Sequence, residues 1–320
     1  MKLRRLGNSG LQVSVVGLGC NNFGNFGKMD VNATRAVLHK AMDVGITLFD
    51  TADVYAPGTP GSSEEQMGQV LGDRRKDIVL ATKFGMQMDQ TGVKKGGSRR
   101  YIMQAVEDSL RRLKTDYIDL YQLHRPDADT PIEETLRALD DLVHQGKVRY
   151  VGVSNMPAWQ VVEAQWTAQL RGLNHFVSCQ DEYSLLARDT VERELSGAAQ
   201  KYGLGILPFF PLASGALTGK YRRNQNQQAA GRLAAKSPLS ARFLSDANHD
   251  IVDKLAQFSE SRGHTLLELA FSWLLARPQV SSVIAGATKP EQIEANVKAA
   301  DWVLTPAEMA EIDRIAPVPA

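Results

Sequence analysis

The sequence predicts an α/β protein, a closed (β/α)8 TIM barrel preceded by a β-hairpin and followed by additional C-terminal helices. Two observations carry that expectation. Eight short, near-continuous apolar runs alternate with stretches of helical period, the pattern of a parallel sheet covered by helices. No linker-like segment interrupts the series, and 320 residues suit one such barrel, residues 1–320 as a single domain.

The elements follow in order. LRRLGNSGLQVS reads as a hairpin, with Asn8, Ser9 and Gly10 as its turn. The strands are VVGLG, TLFDT, IVLATKF, YIDLYQLH, YVGVSN, HFVSCQ, GILPFF and SSVIAGA. Between them lie helical patterns at residues 32–44, 63–71, 99–113, 132–144, 158–170, 191–202 and 266–275. A last pair, 290–299 and 306–315, each opens on proline, whose missing N–H costs nothing at a helix start. Residues 222–240 break the rhythm: polar, without an apolar face, they read as a surface loop or as a lid whose Arg and Lys side chains close over a phosphorylated ligand.

Composition excludes several classes. With 37 basic and 36 acidic side chains the net charge is +1, which gives no reason to expect nucleic acid or an anionic membrane as partner. Cys20 and Cys179 are too few for a disulfide framework and too far apart for a zinc motif, which suggests a reducing, cytoplasmic setting. The histidines show no metal-ligand spacing, so no metal is expected. The N-terminus lacks the apolar stretch of a signal peptide, and no apolar run reaches the ~18 residues of a membrane span.

Chemistry concentrates at the ends of three consecutive strands, at Asp50, Lys83 and His124, with Tyr55 a short turn beyond Asp50. In a (β/α)8 barrel the strand C-termini face one mouth, and neighbouring strands lie ~4.8 Å apart. Taken singly, Asp50 reads as a helix cap and Lys83 as a strand-end lysine reaching for solvent. Together they suit proton donation to a carbonyl oxygen. A free phenol has pKa ~10, and an ammonium beside it is expected to lower that value toward the working range. Asp50 would hold Lys83 charged, and His124 would orient the carbonyl. Acyl transfer is disfavoured, because no Gly-x-Ser-x-Gly elbow exists and neither cysteine has a histidine near it in sequence. A dinucleotide fingerprint after Gly17-Leu18-Gly19 fails at Asn22.

The ordered motifs GLGCNNFG, FDTADVY, ATKFG, YQLHRPD, GVSNM, QDEYSLL, PLASGALTGKY and GATKPEQIEAN span nearly the whole chain and resemble the aldo-keto reductases. That resemblance implies NADPH-dependent reduction of a small carbonyl substrate, with Tyr55 as general acid, Asp50 and Lys83 tuning it and His124 positioning the carbonyl. It implies cofactor contacts from Gly19, Cys20 and Asn21 at the mouth. Ser154, Asn155 and Gln180 would hold the nicotinamide carboxamide, and Phe209 would stack on the ring, with Pro211 and Leu212 following. Relatives carry Ser after that aromatic; here Phe210 stands there. Gly286, Thr288, Lys289, Gln292 and Asn296 would hold the adenosine end, where many relatives have Arg at Gln292's place, so that Lys289 would supply the cation.

The substrate wall is expected from Asn22, Phe23, Phe26, Phe84 and Met86, and a basic cluster of Lys94, Lys95, Arg99 and Arg100 reads as a solvated helix entrance or as a site for a phosphorylated or acidic carbonyl. The short tail after the last helix predicts an open mouth and broad carbonyl tolerance. Two other functions fit the same resemblance. One is a cofactor-binding regulatory subunit with little turnover, as in channel β-subunits, against which the intact tetrad counts. The other is an alcohol or sugar dehydrogenase running in reverse. A homo-oligomer is compatible with all three.

Overall fold

The computed structural model describes residues 1–24, 29–56, 58–221, 233 and 238–318. Strands β1 (Leu3–Arg5) and β2 (Gln12–Ser14) form the antiparallel hairpin. Gly7, at φ +58°, lets its turn press against the backbone before the seventh barrel strand; a Cβ there would lie 2.3 Å from the Gly203 carbonyl oxygen.

The barrel strands are β3 (Val16–Gly19), β4 (Leu48–Asp50), β5 (Val79–Phe84), β6 (Ile118–Leu123), β7 (Val148–Ser154), β8 (Ser178–Glu182), β9 (Gly205–Phe209) and β10 (Val283–Gly286). They pair in parallel in the order β10-β3-β4-β5-β6-β7-β8-β9. The ring closes where Ile206 bridges Val280, its N–H donating to the Gln279 carbonyl at 2.8 Å. The TIM-barrel prediction holds, strand for strand.

Outside the ring run α1 (Val31–Asp43), α2 (Ser62–Leu71), α3 (Arg99–Leu113), α4 (Ile132–His144), α5 (Ala158–Arg171), α6 (Ser196–Tyr202), α7 (Pro238–Phe243), α8 (Asp246–Glu260), α9 (Leu266–Leu275), α10 (Pro290–Lys298) and α11 (Pro306–Ile315). Local chemistry sets their starts. Asp30 accepts from the Ala33 N–H at 2.8 Å, and Thr265 and Thr305 form capping boxes with Glu268 and Glu308. Two differences from expectation stand out. The helix expected at 191–202 begins as a π-helical turn, Val191–Leu195, before α6. Helix α8 was not anticipated, although Ser245 caps it and Val252, Leu255, Ala256 and Phe258 form its buried face. Of residues 222–240, expected as a loop or lid, only Leu233 and the start of α7 at Pro238 lie among the described residues.

Apolar side chains divide into two cores. The larger fills the space between strands and helices. The smaller lies inside the ring, where Leu48, Val79, Ala81, Leu120, Leu207 and Ile284 meet Leu6 and Val13 of the hairpin. The hairpin therefore plugs the N-terminal end, and only the C-terminal mouth is open for chemistry. Among the described residues, no helix is long and apolar enough to cross a membrane.

Candidate active site

A cavity of about 710 Å³ occupies the mouth, running from the ends of β4 and β6 across to the start of α10. Its polar centre is built on period two: Asp50, Lys83, Gln122 and Gln180 all point into the ring from strand positions. Lys83 is fully buried. Its Nζ donates to Asp50 Oδ2 at 2.6 Å, to the Thr51 carbonyl at 2.9 Å and to the Tyr55 oxygen at 3.2 Å. All three ammonium hydrogens are thus used. The other carboxylate oxygen of Asp50 accepts from Gln122 Nε2 at 3.1 Å and Gln180 Nε2 at 2.9 Å. His124 stands edge-on to Tyr55, ring centroids 5.8 Å apart at 80°.

Burial acts against the Lys83 ammonium, but Asp50 and Tyr55 outweigh it and hold its pKa above the usual value. For Tyr55 the balance runs opposite to the expectation from sequence. Burial pushes the phenol's pKa up, and the opposing pull of Lys83 does not cancel it. Tyr55 therefore keeps its proton at neutral pH, as a proton donor must. Because its oxygen already accepts from Lys83, its own O–H is free to point elsewhere.

Burial, then Lys83, then Arg125 press the His124 pKa down from 6.5 to about 3, so the imidazole is neutral. The unfolded chain takes up a proton that the folded one does not, and stability falls as pH drops through 6.5 toward 3. In His124→Gln, urea-denaturation stability should lose part of that slope; identical slopes in both proteins would refute the assignment.

Sequence reasoning missed the support behind Tyr55. The Asp53 N–H donates to the Lys83 carbonyl at 3.1 Å, pinning the tyrosine's loop to β5. Glu64, fully buried, accepts from Thr82 Oγ1 at 2.6 Å and Arg112 Nε at 2.6 Å. Gln122 was missed too, although its place two residues before His124 puts it on the same strand face.

Most of the expected cofactor residues line the cavity: Gly19, Asn21, Ser154, Asn155, Gln180, Phe209, Pro211, Leu212, Gly286, Thr288, Gln292 and Asn296. Cys20 does not. It is fully buried, its Sγ donating to the Leu18 carbonyl, because strand alternation turns it away from the mouth. Lys289 is exposed as the N-cap of α10 and does not line the cavity, while Gln292 folds back to accept from the Thr288 N–H at 2.7 Å. Asn22 lines the cavity, but Phe23 and Phe84 are buried in the outer core, Phe84 stacked on Tyr121. Met86 is off the lining, and Phe26 lies outside the described residues. None of Lys94, Lys95, Arg99 and Arg100 lines the cavity, and Arg99 pairs with Asp141.

The residues present suit an extended dinucleotide. Ser154 Oγ donates to the Gln180 carbonyl at 2.8 Å, and Asn155 Nδ2 donates to Ser154 Oγ at 2.8 Å and the His124 carbonyl at 3.2 Å. These bonds fix both side chains and leave Asn155 Oδ1 as an acceptor. Among the described residues, Ser214 Oγ beside the cavity is buried without a hydrogen-bond partner. Ala56, Asn155, Phe210, Ala213 and Ser214 all hold positive φ, which non-glycine residues adopt at a cost. Among the described residues, Lys114 alone does so away from this mouth, at the end of α3. Among the described residues no group of three His, Cys, Asp or Glu is placed to hold a metal ion.

The sequence model of the Aldo/keto reductase family matches residues 15–317. The chain belongs to this family. Curated relatives match it over 98% of its length. One, from Oryza sativa subsp. japonica, is a "Probable voltage-gated potassium channel subunit beta", 40% identical with 96% of that protein covered. Another, from Escherichia coli K12, is an "L-glyceraldehyde 3-phosphate reductase", 36% identical with 92% covered. A third, from Schizosaccharomyces pombe, is a "Putative voltage-gated potassium channel subunit beta", 38% identical with 92% covered.

Proposed function

We propose that this aldo/keto reductase reduces aldehydes and ketones to alcohols with NADPH, Tyr55 donating the proton. One observation carries the reading: Lys83 occupies an acceptor position of the Tyr55 oxygen, so the tyrosine's hydrogen is left to donate into the cavity. NADPH, when bound, supplies the hydride. Tyr55 gives its proton to the carbonyl oxygen, and its bond from Lys83 strengthens as the phenolate forms, so that the ammonium favours the transition state over the ground state. Asp50 keeps Lys83 charged and aimed. Neutral His124 hydrogen-bonds the carbonyl oxygen and orients it without competing as an acid. Asn155 and Gln180 offer acceptor oxygens to the nicotinamide carboxamide, and Phe209 offers a face to its ring. Lys289 and the positive end of the α10 dipole suit the 2′-phosphate.

The assay is consumption of NADPH absorbance with a panel of small aldehydes and ketones, run beside NADH. The name of the E. coli relative makes glyceraldehyde 3-phosphate one member of that panel. Carbonyl-dependent NADPH oxidation supports the reading; tight NADPH binding without turnover of any member overturns it. The latter outcome would favour a cofactor-binding regulatory subunit, which the names of the rice and fission-yeast relatives raise. Asn155→Ala should weaken NADPH binding about tenfold, the loss of one or two hydrogen bonds. Fluorescence titration of NADPH measures it, and an unchanged Kd would remove Asn155 from the cofactor site.

A further inference from the structure

Arg125 lines the cavity next to His124, and its side chain is exposed. Among the described residues it has no ion-pair partner. The remaining residues include no Asp or Glu. Among the described residues, the only carboxylate on the cavity wall is Asp50, already held by Lys83, Gln122 and Gln180.

The backbone presents this guanidinium from a fixed position. Pro126 restricts Arg125 itself to extended conformations. Asp127 ties down the next turn: its Oδ2 accepts from the Gly97 N–H at 2.7 Å and from Thr130 Oγ1 at 2.7 Å, and its Oδ1 accepts from the Asp129 N–H at 3.0 Å. In the ring of strands, β6 stands opposite β10, four places away. Arg125 is therefore across the mouth from α10, where the adenosine end is proposed, and beside β5, which carries Lys83. Its charge also reaches the imidazole of His124.

A guanidinium is a planar fork that matches phosphate or carboxylate oxygens in pairs. The geometry points to Arg125 as the residue that selects carbonyl substrates bearing an anionic group, a phosphate ester or a carboxylate, a few bonds from the reacting carbon. This assignment rests on the reductase reading above. It moves the anion-binding role from the basic cluster at residues 94–100 to a side chain that lines the cavity.

The test is the ratio of kcat/KM for glyceraldehyde 3-phosphate over glyceraldehyde, and for succinic semialdehyde over butanal, in the wild type, Arg125→Met and Arg125→Lys. A charge-assisted pair predicts a wild-type ratio of about ten or more for at least one couple. In Arg125→Met that ratio falls toward about one, chiefly through KM, and Arg125→Lys lies between. A preference in the phosphate couple alone assigns a phosphate site; a preference in both assigns a general anion site. A wild-type ratio near one, or a ratio that survives Arg125→Met, overturns the assignment. So does an unchanged ratio with weakened NADPH binding, which would give Arg125 to the cofactor. If the wild type turns over none of the four carbonyls, the reductase reading is what has failed. Calorimetric titration of glycerol 3-phosphate against glycerol into NADP-saturated protein then decides. Phosphate-dependent heat lost in Arg125→Met supports the site, and no heat in the wild type overturns it.

Discussion

Tyr55→Phe is expected to lower kcat by about 10²–10⁴-fold, the usual range for a positioned general acid, while NADPH affinity stays within a few-fold. The substitution removes one oxygen and its proton and leaves the ring in place. Lys83 then loses one of three acceptors but retains Asp50 and the Thr51 carbonyl, so the protein should fold normally. Steady-state kinetics beside a cofactor titration separates the two quantities. A variant with wild-type kcat would end the proposed proton-transfer role, and one that cannot bind NADPH would show that Tyr55 shapes the cofactor site instead.

Lys83→Met should damage both activity and stability. Proton donation loses the cation that stabilises the forming phenolate, and kcat should fall by about 10²-fold or more. Removing one partner of a buried ion pair leaves the other charge uncompensated, at a cost of about 3–5 kcal/mol. Here Asp50 would still accept from Gln122 and Gln180, which should place the loss toward the lower end. The double variant Asp50→Asn/Lys83→Met removes the orphaned charge. It should recover part of the stability in urea denaturation and none of the activity. Recovery of turnover in the double variant would show that the pair serves folding alone.

Much of this architecture was legible in the chain because its signals are local. Apolar runs such as IVLATKF and GILPFF needed no context to read as buried strands, and proline at residues 290 and 306 marked helix starts that α10 and α11 bear out. Their place at the C-terminal ends of consecutive strands put Asp50, Lys83 and His124 at one mouth. Helix α8 was equally local in its signals, with Ser245 and its buried face, yet it was overlooked because it follows the polar stretch at 222–240.

Motif position could not report which way a side chain turns or what its neighbours do to its charge. Cys20 and Phe84 sit in motifs that mark the mouth, yet one residue of strand alternation puts both in the outer core. The barrel, the hairpin and the residues that meet at the mouth could be read from the chain, since periodicity and turn chemistry are written along it. Folding alone settles that Tyr55 holds its proton, that Gln122 and Gln180 share Asp50 with Lys83, and that Arg125 faces the cavity with no ion-pair partner among the described residues. Those outcomes depend on desolvation and on hydrogen bonds between residues as far apart as Asp50 and Gln180, which no local pattern encodes.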